Sequence, residues 1–227
     1  MTARTIRDSG YSGDLVIFTI DDRVSEFGRC INLASHPESH LIRTPKVGSF
    51  FHSGLCARFG YKSYCSPFDF FIIKTLPGNI IDKGDYDFIL YMDSDMLVHS
   101  SLDEIFGYDT LVGDFNGRCA FRDVKGLSKY FSPEEVVLAK SRCGLGGGAF
   151  GVPSRLFDFF DRYREVYLRY INEVPHDQPC LSFTMIRYLG RFGYTRLENR
   201  RFWRHYWGSS GSKKLMIKDF NEKYKLY

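Results

Sequence analysis

The chain reads as an α/β protein built on a mostly parallel sheet flanked by helices, and three features predict it. Two short apolar runs, Leu15–Ile20 (LVIFTI) and Phe88–Met92 (FILYM), have the length and β-rich makeup of strands buried on both faces. Segments with helix-start and helix-stop residues alternate with them. Such alternation is the pattern of a sheet covered by helices. With 227 residues and 44% hydrophobic content, one domain over 1–227 with a full core is the simplest organisation. No internal repeat, low-complexity stretch or polar linker divides it.

In chain order, Thr2–Ser9 reads as a short helix stopped by Gly10, and the first apolar strand follows between Gly13-Asp14 and Asp21-Asp22. Ser25–Ala34 and Ser49–Phe59 are expected as helices, separated by a polar stretch with Pro37 and Pro45. Pro67–Leu76 is a third, ended before Pro77-Gly78 because a residue before proline avoids the helical region. The second strand runs directly into Asp93-Ser94-Asp95. Ser101-Leu102-Asp103-Glu104 has capping-box spacing, in which hydroxyl and carboxylate satisfy free N–H groups at a helix start. Ser132-Pro133-Glu134-Glu135 repeats it with proline at the first helical position. Gly148–Val152 is expected as a strand and Ser154 to about Ile171 as an amphipathic helix with Phe157, Phe160 and Tyr167 inward. Asp177 caps a further helix to Leu189, with Gly190 as its stop. Trp203–Lys214 (WRHYWGSSGSKK) reads as a loop, its aromatics interrupted by glycine and serine.

The net charge is only +4, but basic residues crowd the segment from 200 to 227, so that end attracts anions. A solvated helix is the plain reading of it, and peripheral contact with anionic lipid is a second. Nucleic-acid binding would rest on this end alone and is not expected. The 17% aromatic content exceeds what a minimal core requires, so some rings are expected to line a site. Six cysteines at 30, 56, 65, 119, 143 and 180 form no C-x-x-C pair or zinc spacing, which fits thiols in a reducing compartment. No apolar run approaches the roughly 20 residues that span a bilayer, and no signal-like segment opens the chain; a cytoplasmic location is expected.

The chemistry concentrates after the second strand. Aspartates separated by one residue lie about 6.6 Å apart along an extended chain and point the same way. Asp93 and Asp95 occupy the C-terminal end of an apolar strand, where open α/β sheets place ligands. Two carboxylates are too few to enclose a divalent ion, but they suit Mg²⁺ or Mn²⁺ that takes further ligands from substrate phosphates and water. A nucleotide diphosphate is the natural co-ligand. His205 would add a nitrogen ligand and shift preference toward Mn²⁺. Gly208 and Gly211 would let backbone approach phosphate, and Lys213 or Lys214 would neutralise it.

These motifs, YMDSDMLV at 91–98, GGGAFGV at 146–152, HDQ at 176–178 and HYWGSSGSKK at 205–214, resemble in kind and order those of the retaining family 8 glycosyltransferases, which include glycogenin and bacterial lipopolysaccharide galactosyltransferases. The resemblance covers roughly residues 3 to 214. It implies a GT-A (nucleotide-diphospho-sugar transferase) fold, a UDP-sugar donor gripped at Asp93, Ser94 and Asp95, Mn²⁺ on Asp93, Asp95 and His205, and a lysine of the Lys213-Lys214 pair on the diphosphate. It places Asp177 and Gln178 beside the anomeric carbon, where a retaining enzyme stabilises oxocarbenium charge. The acceptor would be a carbohydrate, glycolipid or protein. The family's Asn-Ser-Gly-type turn is replaced here by Gly146-Gly147-Gly148, which withdraws side chains that would bond donor sugar or acceptor. Ala3–Arg7 already matches the helix that follows the family's first strand, so either the chain is an N-terminally incomplete version of a longer protein, the favoured expectation, with weakened recognition of uracil and ribose, or another segment fills that strand's place.

Two rival readings share the same residues. A haloacid-dehalogenase-type phosphatase also places D-x-D after an apolar strand, but Leu97 stands where that class has Thr or Val, and the motif lies far from the N-terminus. A sugar-nucleotide or glycan-binding protein without turnover would keep the fold and the aromatic surfaces.

Overall fold

The computed structural model describes residues 1–19, 21–37, 72–114, 131–141, 145–170, 177–188, 193–198, 200–206 and 210–226. Six α-helices are described: α1 (Thr2–Asp8), α2 (Pro77–Ile80), α3 (Pro133–Ser141), α4 (Asp158–Tyr170), α5 (Asp177–Tyr188) and α6 (Ser210–Tyr224). The described strands are β1 (Val16–Thr19), β2 (Arg29–Asn32), β3 (Phe88–Met92), β4 (Met96–Val98), β5 (Leu111–Asp114), β6 (Ala149–Pro153), β7 (Tyr194–Leu197) and β8 (Trp203–His205).

The central sheet has the order β3-β6-β5-β7, flanked by the two-stranded sheets β1-β2 and β4-β8. The expectation of an α/β fold holds. The expectation of a mostly parallel sheet does not: β3-β6, β5-β6 and β4-β8 are antiparallel, and among the described residues only β1-β2 and β5-β7 are parallel. The inserted β6 causes this, since it runs between two strands that both oppose it.

Strand alternation explains why β3 needs both faces apolar. Phe88, Leu90 and Met92 point into one core with Met96, Val98, Ile105 and Trp203, while Ile89 and Tyr91 join a second core around Phe150, Phe159, Phe160 and Tyr163. Phe150, from β6, is 1% exposed and touches the rings of Tyr91, Phe159, Phe160 and Tyr163. Phe157, Phe160 and Tyr167 are buried, as the helical spacing predicts. By contrast β1, expected to be covered on both faces, is only partly buried and pairs with β2 alone among the described residues.

Other expectations require correction. Ser25–Ala34 is not a helix: its second half is β2. Gly28 sits against the Leu15 carbonyl so closely that a Cβ would lie 2.2 Å from that oxygen. Residues 49–59 lie outside the described residues. Of Pro67–Leu76, the described part is a 3₁₀ turn, Ile72–Thr75, and a helix begins at Pro77 instead of ending before it. Proline is tolerated in a first turn, which needs no N–H from it. The Ser132 capping box forms: Glu135 N–H donates to Ser132 Oγ and Ser132 N–H to the Glu135 carboxylate. The Ser101 box does not close, because Glu104 bonds Arg201 and Tyr108, and a 3₁₀ helix, Asp103–Gly107, results. Trp203–Lys214 is not a loop throughout; it contains β8 and the first turn of α6. Cys30 and Cys180 are free thiols, and the other cysteines lie outside the described residues. No described helix is long and apolar enough to cross a membrane.

Candidate metal centre

The end of β3 and the β4-β8 ribbon bring three side chains together. Asp93 is anchored where its backbone N–H donates to the Gly148 carbonyl at 2.7 Å, extending the β3-β6 ladder by one residue. Asp95 begins the turn into β4; its carbonyl accepts from Tyr206 N–H at 2.9 Å, and β4 then pairs Met96 with His205. The imidazole Nε2 stands 3.0 Å from Asp95 Oδ1 and 3.8 Å from Asp93 Oδ2. One ligand atom from each of Asp93, Asp95 and His205 lies within 4.8 Å of the other two. Ser94 is held by α1, whose Thr2 hydroxyl donates to the Ser94 carbonyl at 2.6 Å.

Glycine is required beside the imidazole. A Cβ on Gly148 would lie 2.4 Å from His205 Cε1, 2.6 Å from Nδ1 and 2.8 Å from Met96 Cε. The Gly146-Gly147-Gly148 run therefore gives space to the histidine as well as withdrawing side chains.

Lys74, which the sequence analysis does not single out, is the unexpected member of the site. Its ammonium, on the 3₁₀ turn before α2, lies 2.8 Å from Asp177 Oδ2, donates to Asp93 Oδ2 at 3.2 Å and donates to the Gly147 carbonyl at 2.7 Å. Its side chain is 8% exposed and that of Asp177 6%. The available signal is a lone lysine inside the apolar run FFIIKTL, since a lysine in a strongly apolar stretch is buried only when paired. The structure thus joins Asp177, at the start of α5, to Asp93 through one buried cation.

Asp93, Asp95 and Asp177 bring three carboxylates together against the ammonium groups of Lys74 and Lys213, the latter reaching from α6 to Asp95, and against the His205 imidazole. Burial raises the pKa of Asp93; Lys74 opposes that rise and Asp177 adds to it. Lys74, facing two anions, has its pKa raised although burial pulls the other way. Asp95 differs from Asp93, because hydrogen bonds from His205 and Lys213 outweigh its burial and hold its carboxyl well below the ordinary range. Tyr91, partly buried in β3, donates to Asp93 Oδ1 at 2.8 Å, and burial beside that carboxylate pushes its phenol far up.

Two carboxylate oxygens and one imidazole nitrogen in this arrangement could hold a divalent cation, with its remaining ligands coming from elsewhere. Lys213 and Gly211 lie in the first turns of α6, from which the Lys213 ammonium reaches Asp95. Lys214 is exposed beside them. Gly208 and His176 lie outside the described residues, and Gln178 is placed in α5 by its backbone. No known protein-family model and no curated protein sequence matches this chain.

Proposed function

We propose that this chain is a metal-dependent glycosyltransferase of GT-A type that moves a sugar from a nucleotide sugar, UDP-linked by the motif resemblance, to an acceptor with retention of configuration. The observation that carries the proposal is the convergence of Asp93, Asp95 and His205 from two separate strands at one edge of the sheet, next to the start of a lysine-bearing helix. His205 reaches the two aspartates from far along the chain because β8 pairs with β4, the strand that follows their turn. The resemblance of four motifs in order adds the sugar-nucleotide class.

Bound Mn²⁺ or Mg²⁺ would act as a Lewis acid toward the leaving diphosphate. The chain's own residues do the rest. Lys213, whose ammonium reaches Asp95, presents positive charge where the diphosphate gains negative charge, which favours the transition state over the ground state. Asp177 and Gln178 are the residues assigned to the sugar side, and Lys74 orients the Asp177 carboxylate. No strong nucleophile is required.

A second reading, a sugar-nucleotide-binding protein without turnover, draws on the burial of Asp177, which is 5% exposed and committed to Lys74. Donor consumption separates the two. UDP-sugars incubated with the protein should be hydrolysed or transferred in Mn²⁺ and not in EDTA, and NMR of the product should show the donor's α configuration. Tight UDP-sugar binding with no consumption across the donor panel would leave the binding reading; a β product would remove the retaining mechanism.

A further inference from the structure

Among the described residues, Lys213 is the cation of the cluster that solvent exposure leaves able to move away from it. Lys74 is buried and held by three acceptors, whereas the Lys213 side chain is 47% exposed and its ammonium rests on a single carboxylate, Asp95 Oδ2. That carboxylate is only 19% exposed and also takes His205 Nε2 at 3.0 Å on its other oxygen. The ammonium therefore sits on one of the three candidate metal ligands and supplies part of the positive charge a cation would supply. A divalent ion arriving alone would add two positive charges beside the ammonium groups of Lys74 and Lys213, with Lys213 a close like-charged neighbour. A diphosphate arriving with the ion removes that conflict, since it brings negative charge and can accept the lysine.

We infer that Lys213 is a built-in counter-ion for Asp95 that opposes loading of the bare metal and couples metal binding to arrival of a nucleotide diphosphate. This rests on the metal-site reading above. The same lysine serves both states, changing partners from Asp95 to phosphate, so its ammonium has an anionic partner in each. An ordinary surface ion pair would do neither, being worth little and screened by salt.

The test compares Mn²⁺ binding by wild type, Lys213→Met and Lys218→Met, using the paramagnetic resonance signal of free Mn²⁺, each with and without UDP. Lys218 lies on the same helix and pairs with Glu222, so its replacement changes net charge equally without touching Asp95. Wild type should bind bare Mn²⁺ weakly and bind it at least tenfold more tightly when UDP is present. Lys213→Met should bind bare Mn²⁺ about tenfold more tightly than wild type and show a smaller gain from UDP; Lys218→Met should follow wild type. Because the Lys213 side chain is half exposed, its replacement leaves the fold intact, which a thermal melt verifies. Equal bare-metal affinity in wild type and Lys213→Met, with Asp95→Asn still abolishing it, would overturn the counter-ion role and leave the metal site standing. Absence of Mn²⁺ binding in every variant, with or without UDP, would overturn both.

Discussion

Replacing Lys74 by Met keeps the length of the side chain and removes its charge, leaving Asp93 and Asp177 to face each other without the cation between them. Three contacts are lost, at 2.7, 2.8 and 3.2 Å, from a side chain only 8% exposed. Breaking one partner out of a buried ion pair costs about 3–5 kcal/mol. Asp93 is 23% exposed and regains some water, whereas Asp177 at 6% does not, so the cost should fall near the low end, about 3 kcal/mol at neutral pH. The pH dependence has a definite sign. Lys74 has a pKa raised above 10.5, so its contribution is complete at neutral pH and is lost only as pH climbs through that raised value. In the variant, Asp93 stays buried beside Asp177 without a counter-charge, so its folded pKa rises further above 3.8, the direction burial already imposes on it. The loss should therefore be full at pH 7 and shrink as pH falls through that raised value, where folding favours the protonated acid. Urea denaturation at about pH 7 and about pH 4.5 measures it, and adding Asp177→Asn should recover part of the stability. A loss below about 1 kcal/mol, or one equal at both pH values, would refute the claim that Lys74 is the buried counter-ion.

Other perturbations reach different parts of the site. Gly148→Ala should drive the imidazole off its position, since the new Cβ meets it at 2.4 Å; Mn²⁺ affinity should drop at least tenfold with a stability cost of about 1–3 kcal/mol, read by metal titration and a thermal melt. An alanine variant with wild-type metal affinity would show that His205 is not a ligand. His205→Ala should weaken Mn²⁺ more than Mg²⁺, because nitrogen ligation is the source of the preference, and equal weakening would mark a structural histidine. Phe150→Ala removes a ring 1% exposed from the middle of the core and should cost about 3–5 kcal/mol in urea denaturation; a cost under about 1 kcal/mol would mean that the core closes around the gap.

How far the site is legible in the sequence depends on how local its signals are. Asp93 and Asp95 follow a five-residue apolar strand, so their position at a strand end can be read directly. β4 and β8 are three residues each, and Trp203-Arg204-His205 mixes an aromatic with two polar groups; such a strand exists only because its partner is present, and no short-range pattern reports it. β2 is misread as helix although Gly28 lies inside the expected span, and that glycine is the available warning. The start of α6 is misread as loop because Ser210, Gly211 and Ser212 are weak helix formers, yet at a first turn their cost is small and the lysines, Leu215 and Met216 that follow favour the helix. Lys74 stands 19 residues from Asp93 and 103 from Asp177. Its role comes from tertiary packing, with only its apolar neighbours as a clue.

Calorimetric titration of UDP into the protein, with Mn²⁺ and then with EDTA, for wild type, Asp93→Asn and Asp95→Asn, tests most directly whether these residues form a metal-diphosphate site. Wild type should bind UDP in Mn²⁺ and lose that binding in EDTA, and each variant should resemble wild type in EDTA while melting as a folded protein. UDP binding of equal strength in Mn²⁺ and EDTA, or undiminished in both variants, would contradict the account.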